Sequence, residues 1–327
     1  MKKFTLILSL MMLAATSAMA KLPEKKTHLF AVKGADSLYL DHYVADVEGP
    51  RPCVIYIFGG GFVNGQRYAD WYDSYFEMLL DEGYDVVSID YRRGLRKLFA
   101  NGNKSLSIRD VVVGLNDAIN MAVEDLFSAT AFIVENAEKW QINPTKIITS
   151  GSSAGAITAL QAENIISNRG KLAEILPEGF DYAGVMSFAG AIFSVNGKPE
   201  WKNEPAPIIM FHGSSDRQVP YDKETMLGIG FFGSKFISNQ LSNENYAHWF
   251  YDMEYRGHDV AGSPMWANHN DIKTFIKEFA IKGRKLSLHT TVKDGDIKED
   301  QTKFKLKDYI EANFGEKPNK NEKTNKK

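Results

Sequence analysis

Six short apolar runs recur along the chain: CVIYIF at 53–58, DVVSIDY at 85–91, KIITS at 146–150, GVMSFAG at 184–190, PIIMFHG at 207–213 and HWFYDMEY at 248–255. All six read as strands; CVIYIF is too continuous for a strand with one wet face and reads as central, and DVVSIDY as another buried strand. Between them, apolar residues return at three- and four-residue steps. Tyr68 to Asp81 is one such helix, with Gly83 at its end, and Ile108, Val112, Leu115, Ile119 and Ala122 mark a long second one. Further helical stretches run towards Trp140, from Ala156, over 222–241 and from Asn270 to Ile281. Alternating strands and helices of this kind demand a mostly parallel sheet covered by helices on both faces. Two earlier strands, HLFAVKG and SLYLDHYVA, precede the first central one.

The first twenty residues stand apart from this pattern. MKKFTLILSLMMLAATSAMA carries two Lys, an apolar stretch from Phe4 to Ala15 and a small-residue end, the layout of a secretory signal cleaved before Lys21. The apolar stretch is shorter than the roughly 20 residues that span a bilayer, so no membrane association is expected after cleavage. The expected division is therefore a signal over 1–20, a catalytic domain over 21–284 and a Lys-rich, partly disordered tail over 285–327, in which KFKLKDYIEANF has helical character. With 327 residues, 24 % of them charged, and a net charge of −2, the chain has no field for gathering polyanions, and nucleic acid is excluded as a partner. Its one cysteine, Cys53, falls in a central strand and reads as packing, so the fold must stand on its core rather than on a disulfide.

The chemistry concentrates at strand ends. GSSAG, residues 151–155, follows the strand KIITS and precedes a helix, the setting in which a sharp turn presents a serine as nucleophile. A serine hydroxyl needs a base to take its proton, and the base needs an acid to fix its tautomer. In this strand–turn–helix architecture the partners follow in the order Ser, acid, His. Asp216 comes just after PIIMF and His258 just after WFYDMEY, which selects Ser153, Asp216 and His258. His212 reads as a structural hydrogen-bonding residue, and His248 and His269 sit at the wrong ends of their elements. Asp259 adjoins His258 and points elsewhere, while Asp222 and Asp252 read as surface or helix-start residues.

Three glycines follow the central strand in IFGGGFVNG, residues 57–65. Backbone N–H groups exposed there can stabilise an oxyanion, so Gly60 and Gly61 are the expected donors, completed by the N–H of Ala154. Phe62, Phe231 and Phe232 are candidate pocket walls, with core packing the alternative for the last two. Tyr91, Arg92 and Arg93, at a strand end, either face the cleft or serve the framework. The loop over 92–107 and the segment LGIGFFGSKF are the places where a small cap could arise.

FGGGF, SIDYR, GSSAG, GSSD and GHD, in this order, resemble the α/β-hydrolase superfamily, and within it the carboxylesterase and hormone-sensitive-lipase-like branch. The resemblance runs over residues 30 to 283. It implies an eight-stranded sheet and cleavage of carboxylic esters through an acyl-enzyme, with neither cofactor nor metal. Small-molecule or saccharide-linked esters, such as acetyl or feruloyl esters of polysaccharides, are the implied substrates. Phe58 stands where that branch usually has His, and Ser152 where an acidic residue often precedes the nucleophile. Two rivals remain: a serine exopeptidase of the prolyl-oligopeptidase type, for which the chain lacks a propeller's worth of residues, and a non-catalytic binding protein on the same fold.

Overall fold

The computed structural model describes residues 22–99, 107–300 and 304–305. The expected signal over 1–20, the centre of the 92–107 loop and most of the Lys-rich tail lie outside these residues. Twelve strands are found among the described residues: β1 (Lys26–Lys33), β2 (Asp36–Tyr43), β3 (Arg51–Ile57), β4 (Asp85–Ile89), β5 (Ile142–Ser152), β6 (Gly184–Phe188), β7 (Ala191–Ser194), β8 (Ile208–Gly213), β9 (Lys223–Met226), β10 (Ile229–Gly233), β11 (His248–Met253) and β12 (Ser287–Val292). Nine of them form one sheet in the order β1-β2-β4-β3-β5-β6-β8-β11-β12. Pairing is antiparallel at β1–β2 and β2–β4 and parallel from β4 to β12.

The continuous runs lie where their composition demands. Val54, Ile55, Val86, Val87, Ile148, Val185, Ile208 and Ile209 are fully buried, between helices on either face. Each such side chain contributes about 1.5–3 kcal/mol by leaving water, which is how a chain without a disulfide holds together. Cys53 is among them, fully buried, and burial pushes its thiol far above the usual range. The long helix Ile108–Glu135 starts with a capping box, Ser107 accepting from the Asp110 N–H while the Asp110 carboxylate accepts from the Ser107 N–H. Its Leu115, Ile119, Ala122 and Leu126 form the buried stripe.

Two expectations change. The sheet has nine strands rather than eight, because the start of the expected tail, SLHTTV, pairs in parallel with β11. Its β-branched residues favour a strand, and Trp249 Nε1 donates to Thr290 Oγ1 at 3.0 Å. The helix expected over 222–241 begins only at Ser234, as Ser234–Asn243. Before it, β9 and β10 form a hairpin whose turn residues Leu227 and Gly228 both take positive φ, the geometry of a tight type I′ turn. This hairpin joins β7 in a separate three-stranded sheet, so LGIGFFGSKF is an antiparallel ribbon and a helix start.

Candidate active site

β5 ends at Ser152, and the helix Ala154–Ser167 begins one residue after Ser153. Ser153 therefore carries the whole reversal, at φ 52 and ψ −115, a region that costs a residue with a Cβ about 1–3 kcal/mol. Its backbone is pinned on both sides: Ser153 N–H donates to the Phe188 carbonyl at 2.9 Å, and the Ser153 carbonyl accepts from the Ile157 N–H at 2.9 Å. Ser152 adds a third restraint, its hydroxyl donating to the Ala261 carbonyl at 2.7 Å. That bond ties the elbow to the turn carrying His258.

His258 opens the 3-10 turn His258–Ala261, after β11, and Asp216 lies just beyond β8. Adjacent parallel strands bring the two loops together, with Ser215 N–H donating to the Arg256 carbonyl at 3.0 Å. The three residues selected from sequence form one hydrogen-bonded chain: His258 Nε2 to Ser153 Oγ at 2.8 Å and His258 Nδ1 to Asp216 Oδ2 at 2.7 Å. An ionised carboxylate can only accept, so Nδ1 carries the proton and Nε2 is free to accept from the serine.

Asp216 is 1 % exposed. Burial works against its charge, yet hydrogen bonds from His212 and His258 outweigh it and hold the carboxyl well below the usual carboxylate range. Oδ1 also accepts from the Gln218 and Val219 N–H groups at 2.7 and 3.0 Å. His212 is fully buried, its Nε2 between the Val219 carbonyl at 3.2 Å and Asp216 Oδ2 at 3.4 Å, and its Nδ1 2.8 Å from Ser234 Oγ. Two acceptors at Nε2 require the proton there, so Nδ1 accepts from Ser234. His212 is thus a structural hydrogen-bonding residue, as its sequence position suggested, and what it holds is the Asp216 carboxylate. His248 bonds Ser242 and the Tyr246 carbonyl, His269 bonds the Met265 carbonyl, and Asp259 turns to Arg256 and the Gly257 N–H, all away from Ser153.

The glycine loop lies against the elbow: a Cβ on Gly59 would meet Ser153 Cβ at 3.2 Å. Gly60 and Gly61 both take positive φ, 124° and 62°, which only glycine does cheaply. The Gly60 carbonyl is turned into the loop, accepting from the Val63 and Asn64 N–H groups at 3.1 and 2.9 Å. Ala154 is the first residue of its helix, so its N–H has no intrahelical acceptor, and the helix end favours negative charge beside it.

Sequence reading alone did not find what holds this loop. Tyr91 donates to the Phe58 carbonyl at 2.9 Å, Leu95 N–H to the Phe62 carbonyl at 3.1 Å, and Arg93 Nη1 to the Gly65 carbonyl at 3.1 Å. The segment after β4 therefore grips the loop at its start, middle and end. Burial pushes the Tyr91 phenol far above its usual range, so it stays a donor. Arg92 faces the framework instead, bonding Glu124 and Asp125.

The three phenylalanines are buried core side chains. Phe62 is fully buried beside Tyr91, Phe231 packs on Phe193 and Phe232 on Phe236. For Phe231 and Phe232, core packing is what the structure describes. Among the described residues, no group of three or more His, Cys, Asp or Glu is placed to hold a metal ion.

A parallel sheet with an antiparallel margin, a serine on a strained strand-to-helix turn, and an acid and a histidine at the ends of later strands are the features of the α/β-hydrolase fold, and this chain has that fold. Its likenesses fall among esterases. The BD-FAE family matches residues 40–174, a span holding Gly60, Gly61 and Ser153. The fumonisin B1 esterase of Sphingopyxis macrogoltabida is 28 % identical over 123 residues, 37 % of this chain and 22 % of that protein. The acetylcholinesterase of Danio rerio is 33 % identical over 128 residues, 38 % of this chain and 18 % of that protein. The chain thus spans about a fifth of the length of these relatives. In three dimensions it resembles the apo form of Thermogutta terrifontis esterase 2, with a TM-score of 0.56 at 17 % identity over 82 % of this chain and 97 % of the other. The same esterase phosphorylated by paraoxon superposes with a TM-score of 0.54 at 16 % identity, over 80 % of this chain and 97 % of the other.

Proposed function

We propose that this protein is an exported serine carboxylesterase that hydrolyses short-acyl esters through an acyl-enzyme. The observation that carries the reading is the unbroken Ser153–His258–Asp216 hydrogen-bond chain on a strained elbow. In the first half-reaction Ser153 Oγ attacks the acyl carbon while His258 Nε2 takes its proton, and Asp216 stabilises the resulting imidazolium. The N–H groups of Gly60, Gly61 and Ala154 are the donors for the oxyanion that develops on the carbonyl oxygen. His258 then gives its proton to the departing alcohol oxygen. A water molecule repeats the sequence on the acyl-enzyme, and the carboxylic acid leaves.

Structures of Thermogutta terrifontis esterase 2 with propionate and with butyrate bound support a short acyl group. The signal-like residues 1–20 support export, with Lys21 as the first residue of the mature chain. Acetyl or feruloyl esters of polysaccharides are compatible natural substrates. Hydrolysis of p-nitrophenyl acetate, butyrate and octanoate, beside Ser153→Ala, tests the proposal. The expected result is turnover favouring acetate or butyrate and a loss of about a thousandfold or more in the variant. No ester cleavage by the wild-type protein would end the esterase reading. Cleavage of peptide amides in preference to esters would replace it with the exopeptidase.

A further inference from the structure

The chain continues past β12 along the loop that leaves β11. Glu254 N–H donates to the Val292 carbonyl at 2.9 Å, Lys293 Nζ lies 5.5 Å over the Tyr255 ring, and a turn closes from the Ile297 N–H to the Asp294 carbonyl at 3.1 Å. The residues beyond that turn reach the loop after β8. There Ser215 donates its hydroxyl to the Asp300 carbonyl, and Arg217 Nη2 lies 3.1 Å from Asp300 Oδ2. The two sequence neighbours of Asp216 are thus both bonded to one residue of the C-terminal segment. Phe304 is 8 % exposed, and with Asp216, Tyr221, Tyr255 and Asp300 it lines a cavity of about 490 Å³. The segment lies beyond residue 283, where the likeness in motifs ends, and beyond the family match over 40–174.

Backbone bonds set the path of the loop itself. Asp216 N–H donates to the Gly213 carbonyl at 3.2 Å, and the Ser214 and Ser215 N–H groups donate to the Met253 and Arg256 carbonyls, both at 3.0 Å. The side chains of Ser215 and Arg217 add an attachment on each side of the acid. The Arg217–Asp300 pair, 53 % and 41 % exposed, is screened by water and contributes little. Ser215 is 4 % exposed, so its hydroxyl has little water to turn to in place of the Asp300 carbonyl, and Phe304 has given up water at the same wall.

From this arrangement we infer that the C-terminal segment, through Ser215 and Phe304, positions Asp216 for His258, which makes these two positioning residues of the reaction. The inference rests on the esterase reading for the reaction, not for the geometry. Asp216 Oδ2 has to meet His258 Nδ1, at 2.7 Å here, because that one bond both fixes the tautomer and stabilises the imidazolium. A misplacement of about 1 Å, even one caused far from the chemistry, costs on the order of 10²-fold in rate. The cavity that Asp216 shares with Phe304 gives the loop room to shift once Phe304 no longer forms its wall. A segment that merely packs would change stability and leave the Asp216–His258 bond as it is in the folded protein.

The test compares full-length Ser215→Ala and Phe304→Ala proteins with the wild type, and uses Phe304→Leu as the conservative variant. On p-nitrophenyl acetate, kcat is expected to fall about tenfold or more in both alanine variants while KM changes less than about twofold, and Phe304→Leu restores most of the loss. A second readout needs no turnover. The low-field proton resonance of the His258 Nδ1–H bonded to Asp216, assigned by its loss in Asp216→Asn, is expected to shift or broaden in the alanine variants under conditions where each is folded. An unchanged resonance in folded Ser215→Ala protein overturns the inference, and so does an unchanged kcat. If Phe304→Ala does not fold, Ser215→Ala, which removes a single oxygen, still decides. A wild-type protein that cleaves no ester removes the esterase reading, and the resonance then decides alone whether the segment positions Asp216.

Discussion

Tyr91 stacks on Phe58 at 4.4 Å and 26°, and its hydroxyl donates to the carbonyl of that same residue at 2.9 Å. A ring without hydrogen-bonding groups thus stands where the carboxylesterase branch commonly has histidine, and the polar restraint on the glycine loop comes from across the sheet.

Tyr91→Phe keeps the stack and removes that restraint. The expected outcome is a fall in kcat of about tenfold with KM little changed, since loop placement matters most once the oxyanion forms. Amide exchange over residues 58–65 should accelerate in parallel. Unchanged exchange and unchanged kcat would leave Tyr91 with packing alone.

Asp216→Asn should lower kcat far more than it lowers stability, because an amide at Oδ2 no longer fixes the His258 tautomer; a loss of about 10⁴ is expected, measured on p-nitrophenyl acetate. Burial opposes the charge on Asp216, but its two histidine partners win, so it stays a carboxylate well into acid. Its contribution to stability is present above the ordinary carboxyl pKa and is lost only as pH falls through the depressed value.

Glu163 behaves in the opposite sense. It lies on the helix that begins behind Ser153; Oε1 accepts from the Ala206 N–H at 2.7 Å, and Oε2 has no partner among the described residues. Burial, with a smaller push from Asp181, raises its pKa to about 7 against the Ala206 hydrogen bond. The folded protein therefore binds this proton more tightly than the unfolded chain. The stability it gives is complete below the ordinary carboxyl pKa and is lost as pH rises towards 7, by about 3 kcal/mol in all. Glu163→Gln should flatten that slope and raise stability at pH 8, read from denaturant unfolding at pH 5 and 8.

Ser152 is 4 % exposed and donates to the Ala261 carbonyl. Ser152→Asp, which would install the acid common in the branch, sets a buried carboxylate against a carbonyl oxygen where only a donor fits. A lower Tm and a large loss of turnover are expected, whereas Ser152→Ala should cost about 1 kcal/mol.

That Ser153, Asp216 and His258 would come together was legible because their order and their strand ends are sequence properties: the runs KIITS, PIIMFHG and HWFYDMEY each stop three residues before one of them. The parallel sheet was legible for the same reason, since runs buried on both faces leave no polar alternation. Tyr91 was noticed without its partner, because nothing local says that its hydroxyl crosses to the Phe58 carbonyl. The hairpin at 223–233 was missed because its helix-like spacing outweighed the turn at Leu227 and Gly228.

The parallel pairing of β12 with β11 has a practical side. A strand running parallel to its neighbours releases the chain at the end of the sheet where they finish, which is the end bearing Ser153. The described residues that follow do come back there: Ser215, beside Asp216, donates to the Asp300 carbonyl, and Phe304 is 8 % exposed. A bulky label attached at Asp300, whose side chain is 41 % exposed, is thereby set beside the loop that carries Asp216, and should hinder bulky esters before small ones.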